Sequence, residues 1–311
     1  MDTFANSTAG AQAVKSIFTR AHGQGRRPVS FEMFPPKGDL GIEEARQIAS
    51  ELAPTGPDFI SVTCSAGGSG NGAERTAGRP SNRTVAVASM IQSEFATPAV
   101  AHLTCYNATR ESIADAVADM KAAGIVNVLA LRGDPVPGVE PKDFRYAKDL
   151  IPPLKDAGFC VGAAAYPEGH LTCTDPRANI AHLKQKQDAG ADFFVTQLFF
   201  DNDLFYRFWE NAQAAGITVP ITCGIMPFLG KSQIQRMVFM CGASLPSPII
   251  KLLARYENDE ASLLRAGIEY ANGQLVDLDA HGVDGLHVYA MNRPVIARSA
   301  MTALDVARCA R

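Results

Sequence analysis

A short apolar run, VSFEMF at residues 29–34, carries one carboxylate, Glu32, and stops at Pro35-Pro36. An ionised carboxylate enclosed by apolar side chains costs several kcal/mol unless it is paired, hydrogen-bonded or protonated. Glu32 therefore either faces water or is an acid set where it can carry a proton. Other apolar runs also finish in polar residues able to move protons or hold anions. Thr63 lies near the end of 59–64, and His102 and Thr104 lie in 99–105. Arg132, Gly133 and Asp134 close the run from Asn127, and Tyr166, Glu168 and His170 follow the run from Phe159. Gln197 sits in 193–200, and Asn292-Arg293 end the run from Leu286.

Something must position these residues. The runs 29–34, 59–64, 99–105, 127–133, 159–167, 193–200, 219–227 and 286–292 are short, nearly continuous and often β-branched. Strands buried on both faces of a parallel sheet look like this. Helical periodicity fills 41–53, 109–123, 143–157, 176–190, 203–215 and 231–242 between them. Thr109 with Glu111 and Ser112 reads as a helix start, and Gly158, Gly190 and Gly216 stand where left-handed caps belong. The alternation predicts an α/β protein, a (β/α)8 TIM barrel, a fold of about 250 residues in its usual form. Residues 1–28 are expected as an N-terminal helical extension and 29–311 as a single barrel domain, with a helical insertion over about 246–283 before the eighth strand. A doubly wound sheet would place a glycine-rich phosphate turn after the first strand, where this chain has Phe34-Pro35-Pro36. In such barrels chemistry gathers at the C-terminal strand ends, which is where the polar residues fall.

Composition narrows the classes. With 29 Lys and Arg against 32 Asp and Glu, the net charge of −3 leaves no electrostatic footprint for nucleic acid or an anionic membrane. Seven cysteines without C-x-x-C spacing fit reduced thiols of a cytoplasmic protein better than a disulfide framework. No run reaches the ~18–20 apolar residues of a membrane span, and no signal peptide is legible. No lysine stands in the eight runs to form a Schiff base. No metal is expected, since His102, Cys105 and His170 lack a local ligand motif. GGSGNG at 67–72 lacks phosphate-loop spacing and is expected to be a mobile loop or lid beside the strand ends. Taken singly, Thr63 and Thr104 read as ordinary strand residues, His102 as a core histidine, Arg132 with Asp134 as a rim ion pair, and Gln197 as a satisfied amide. Their gathering at one rim is what points to a site. The aromatics of 204–212 fit either packing onto the barrel or a homo-oligomer contact.

In order along 29–293, SFEMFPP (30–36), DFISVTCSAGGSGN (58–71), AHLTC (101–105), NVLALRGDP (127–135), AAYPEGH (164–170), LKQKQDAGADFFVTQLFFD (183–201), GIMP (224–227) and YAMNR (289–293) resemble bacterial methylenetetrahydrofolate reductase. The resemblance implies a flavin-containing barrel that reduces 5,10-methylenetetrahydrofolate to 5-methyltetrahydrofolate. In that family FAD takes a hydride from NADH or NADPH and passes it to the folate in ping-pong order. It implies Glu32 as general acid, Asp134 near flavin and pterin, and Gln197 and Arg293 as further folate contacts. It also implies that Thr63, His102, Arg132, Gly133, Asp134, Tyr146, Ala147, Tyr166, His170, Asn179, His182 and Lys186 contact FAD. Opening the methylene bridge needs a proton on N10 and leaves an N5 iminium. Glu32 is expected to give that proton, kept on the carboxyl by apolar neighbours such as Phe31 and Met33, while an ionised Asp134 stabilises the cation. Lys186 is expected at the FAD pyrophosphate, and Gln197 at a pterin edge. Two positions depart from the pattern: Asn179 stands where it has an aspartate, and Lys231 where it has a ring-packing aromatic. The alternative reading is a flavin-binding subunit of a larger electron-transfer complex fed by a donor other than NAD(P)H. No C-terminal regulatory domain is expected.

Overall fold

Successive side chains of a strand point to opposite faces, so each strand sorts its residues between barrel interior and helical layer. The computed structural model describes residues 10–35, 41–64, 82–135, 138–173 and 175–311. Strands β1 (Val29–Met33), β2 (Phe59–Val62), β3 (Ala99–Thr104), β4 (Asn127–Leu131), β5 (Cys160–Ala165), β6 (Phe193–Thr196), β7 (Ile221–Ile225) and β8 (Gly285–Tyr289) pair in parallel and in order. β8 closes on β1, completing the expected barrel. The glycine-rich 67–72, expected as a lid, lies outside the described residues.

Outward residues such as Val29, Phe31, Met33, Ile60 and Val62 join the main core beneath the helices. Inward residues Phe59, Val100, Leu129, Cys160 and Phe193 form a separate cluster inside the barrel. Helix α1 (Val14–Gly23) contributes Val14, Ile17 and Phe18 to that cluster, so this part of the N-terminal segment plugs the barrel at its N-terminal end. Asn127 fixes the plug: Val14 N donates to its Oδ1 at 2.8 Å, and its Nδ2 donates to Gln12 O at 2.9 Å. At the same end three aspartates repeat one device. Asp58, Asp192 and Asp284 stand just ahead of β2, β6 and β8, and accept from Val29 N, Val161 N and Ile221 N at the starts of β1, β5 and β7. Polar groups at this end therefore serve the framework, leaving the opposite rim for chemistry.

The helices are α2 (Gly41–Leu52), α3 (Asn82–Phe95), α4 (Arg110–Ala122), α5 (Ala147–Asp156), α6 (Pro176–Asp188), α7 (Asn202–Ala214), α8 (Lys231–Cys241), α9 (Ser247–Arg255), α10 (Glu260–His281) and α11 (Pro294–Cys309). Thr109 caps α4 through a reciprocal bond with Ser112. The α7 aromatics pack inward: Phe205 and Phe208 are buried, and Phe205 stacks on Phe199. Helix α5 starts at Ala147 rather than 143, because Asp149 turns back to accept from the Arg145 and Tyr146 amides.

The insertion before β8 is real but differently bounded. Helix α10 packs against β7, β8 and α11, so it is the barrel's own crossover helix, and α8 and α9 are the added pair. Close seating of α10 requires Gly267, where a Cβ would lie 1.8 Å from Phe228 O. Among the described residues no helix is long and apolar enough to cross a membrane.

Candidate active site

Glu32 projects from β1 into the barrel, and its side chain is 20% exposed. The expected reason for its protonation does not hold. Phe31 and Met33 are fully buried on the opposite face of the strand, against the helices, so they do not surround the carboxyl. Its neighbours are two imidazoles: Glu32 Oε2 lies 3.8 Å from Nε2 of both His102 and His287.

Each histidine is anchored by a serine on the neighbouring strand. Ser61 Oγ is 2.6 Å from His102 Nε2, and Ser30 Oγ is 2.8 Å from His287 Nδ1. Ser30 also donates to Leu286 O at 3.2 Å. A serine has one hydrogen to give, so with that bond made it must accept from His287 Nδ1–H. Nε2 of that ring is turned toward Glu32, and among the described residues this buried atom has no hydrogen-bond partner. A small rotation of the Glu32 carboxyl would bring it within hydrogen-bond range of this atom. Tyr289, beside them on β8, donates to Thr196 O at 2.7 Å, and burial holds its phenol well above the usual range.

His102 is 5% exposed, and burial pushes its imidazole down to about 4, with Glu32 opposing the shift and His287 adding to it. An unfolded histidine titrates near 6.5. Between these values the unfolded chain binds more protons, so stability falls as pH drops from 6.5 to 4, by on the order of 3 kcal/mol for this group. Urea unfolding at pH 7 and pH 4.5 will show that loss in the native protein and a smaller one in His102→Gln. Equal losses would show that other groups govern acid unfolding.

Across the mouth, cationic side chains gather beside the ends of β4 and β5. Gly133 has φ +83, and a Cβ there would lie 3.1 Å from Thr104 Cβ, so the turn presenting Arg132 and Asp134 requires glycine. Arg132 Nη2 is 3.4 Å from His170 Nε2, and the Tyr166 and His170 rings meet edge-on at 5.0 Å. Lys186 reaches in from α6 to donate to Ala164 O at 2.7 Å, 5.3 Å from the Tyr166 ring centre. Burial, then Arg132, pushes its ammonium down to about 8. Among the described residues neither Arg132 nor Lys186 has an ion-pair partner. Asn179 is 8% exposed and donates to Tyr166 O at 2.8 Å, a bond an ionised aspartate could not make.

The remaining expected residues ring this centre less closely. Asp134 is exposed on the β4 loop, close enough to act on Tyr166 and His170. His182 is exposed on α6 and helps to hold His170 below its ordinary value, after burial, Arg132 and Lys186. Tyr146, 45% exposed, lies between the Arg145 and Lys148 cations at 5.6 and 5.8 Å, ahead of buried Ala147. Thr63 is half-buried past β2, where its amide donates to Met33 O at 3.0 Å. Gln197 Oε1 accepts from Leu198 N at 2.9 Å, and Arg293 is exposed at the start of α11. Glu168 turns aside to the Ser244 amide, and Lys231 pairs with Glu257 at 2.8 Å. Among the described residues no cluster of His, Cys, Asp or Glu could hold a metal ion.

Sequence reasoning missed Ser30, Ser61, His287 and Tyr289. The signal was present: Ser30 alternates with Glu32, and His287 with Tyr289, along one face of neighbouring strands.

Fold and site together define a (β/α)8 barrel with a polar, two-sided mouth at the C-terminal strand ends. The chain belongs to the methylenetetrahydrofolate reductase family, whose model matches residues 17–304. It is 34% identical over 286 residues to the Arabidopsis thaliana protein named methylenetetrahydrofolate reductase (NADH) 1, covering 86% of this chain and 47% of that one. It is 34% identical over 284 residues to 5,10-methylenetetrahydrofolate reductase of Pectobacterium carotovorum, covering 91% of this chain and 92% of that one. The chain thus spans about half the length of the plant relatives it matches and about nine-tenths of the bacterial ones. A solved structure of a Clostridium thermocellum protein that binds two copies of 5-methyl-5,6,7,8-tetrahydrofolic acid shares the fold, with a TM-score of 0.64 and 14% identity over 95% of this chain and 99% of that one.

Proposed function

We propose that this chain reduces 5,10-methylenetetrahydrofolate to 5-methyltetrahydrofolate, with FAD as cofactor and NADH or NADPH as hydride source. The observation that carries the reading is the two-sided mouth. β1, with Glu32 between its imidazoles, stands diametrically across the barrel order from β5, beside which Arg132 and Lys186 hold positive charge with no ion-pair partner among the described residues.

The residues present fit FAD. Arg132 and Lys186 suit its pyrophosphate, since half-buried cations with no carboxylate partner among the described residues call for an anion. Tyr166, His170, Tyr146 and Thr63 would line the rest, with Ala147, Gly133 and His182 at its edges and Asn179 offering its remaining amide oxygen. When bound, FAD supplies the hydride relay between nicotinamide and folate. Everything else is the work of the chain. Glu32 gives its proton to folate N10, opening the methylene bridge. Asp134, exposed at the rim, favours the N5 cation that results. Gln197 and Arg293 would grip the folate from the β6 and β8 sides. The plant relatives carry NADH in their names, which makes it the donor to test first.

The test is colour. The purified protein will be yellow, will bleach anaerobically with NADH or NADPH, and will regain its colour on addition of 5,10-methylenetetrahydrofolate with formation of the 5-methyl product. A colourless protein that FAD does not reconstitute overturns the reading. Bleaching only by a low-potential donor makes the chain a subunit of an electron-transfer complex instead.

A further inference from the structure

We propose that Asn292 is a positioning residue for the folate half-reaction: its side chain fixes the end of β1 that carries Glu32 against the turn that carries Arg293. The proposal rests on the reading of Glu32 as proton donor.

The β1–β8 ladder ends at the Glu32–Tyr289 pair. Beyond it β1 runs toward Pro35, while β8 enters the turn Ala290–Arg293. Asn292 bridges the gap. Phe34 N–H donates to Asn292 Oδ1 at 3.0 Å, and Asn292 Nδ2 donates to Phe34 O at 2.8 Å. A carboxamide offers one acceptor and one donor side by side, as the backbone of a neighbouring strand does. The side chain therefore adds one more rung past the end of the ladder.

The backbone is bent to permit it. Met291 and Asn292 are consecutive non-glycine residues in the left-handed region, at φ 51 and 55. Asparagine tolerates that region, whereas a long side chain such as methionine is disfavoured there. The turn is pinned by Arg293 N donating to Ala290 O at 2.8 Å, and by Gln233 Nε2 donating to Met291 Sδ at 3.3 Å. Both Asn292 bonds are open to solvent, where a hydrogen bond adds little net stability. The two Asn292 bonds, open to solvent and added to a turn already pinned elsewhere, are poorly explained by stability. They are well explained by position, because strain of this kind gathers where geometry serves function.

The position at stake is that of the Glu32 carboxyl, two residues before Phe34. At 3.8 Å from both imidazoles it is just out of bonding range, so a shift of the strand end decides whether the carboxyl faces His287 or the mouth.

The test compares Asn292→Gly, Asn292→Asp and Glu32→Gln in the FAD-loaded protein. Glycine removes the side-chain bridge and relieves the left-handed strain, so thermal stability will be unchanged or raised. Flavin reoxidation by 5,10-methylenetetrahydrofolate will slow by roughly ten- to hundredfold, the scale of a misplaced reacting group. Its pH profile will shift, and reduction by NADH will change far less. Aspartate keeps the acceptor for Phe34 N–H but loses the donor, and will fall between. An Asn292→Gly protein with native folate rate and pH profile overturns the proposal. So does one losing stability, flavin or both half-reactions together, since Asn292 would then be structural. Should Glu32→Gln keep its folate turnover, the acid assignment itself has failed. Should Glu32→Gln be inactive with folate while Asn292→Gly behaves as native, only the positioning role falls.

Discussion

Replacing Glu32 by glutamine will leave a yellow protein that NADH or NADPH still bleaches, but whose folate reduction is slower by about 10²–10⁴-fold, the usual contribution of a positioned general acid. Glutamine has nearly the shape of the acid, and its amide, both donor and acceptor, can pair with His287 Nε2. The barrel interior is therefore preserved and only the transferable proton is lost. Flavin reduction by nicotinamide is a hydride transfer that draws no proton from this carboxyl, so the two half-reactions should separate. Anaerobic stopped-flow absorbance at the flavin band measures both on one sample. A folate half-reaction within twofold of native would show that N10 is protonated from elsewhere. Equal losses in both half-reactions would instead report a disturbed cofactor site.

The barrel was legible because strands covered on both faces become nearly unbroken apolar runs, and the rim was legible because polar residues close them. Other features were hidden for physical reasons. Helix α3 buries Val85, Val87, Ala88, Met90 and Ile91, which point in nearly every direction around its axis, so no polar stripe announces a helix. The insertion was misplaced because α8 buries only Ile234, while the long α10 is the better packed of the two. The surroundings of Glu32 were misjudged because chain neighbours in a strand face away from each other. His287 and the two serines lie one layer below the rim, where a polar residue in an apolar run resembles core. Lys186 sits in a highly polar helix whose lysines read as solvated, and only the fold reveals that this one is turned inward.

FAD will bind the apoprotein less tightly as pH rises above about 8, and Lys186→Met will weaken binding at neutral pH while removing that dependence. Burial, then Arg132, holds the Lys186 ammonium at about 8, below its ordinary 10.5, and among the described residues its hydrogen bond goes to Ala164 O. A pyrophosphate beside it favours the charged form, so binding draws a proton onto the lysine wherever the free protein has lost it. Affinity then falls with pH from about 8 upward, by on the order of 10²-fold if the bound ammonium regains its ordinary value. Fluorescence titration of FAD from pH 7 to 10 measures the slope, and calorimetry in buffers of unlike ionisation enthalpy counts the proton. The sign separates this from alkaline unfolding. For the same lysine the unfolded chain holds more protons between 8 and 10.5, so its contribution to apoprotein stability rises with pH while FAD affinity falls. Arg132 stays charged throughout, so part of the affinity survives even where Lys186 is neutral. A flat profile in the native protein would mean that Lys186 does not meet the pyrophosphate, leaving Arg132 as the anchor.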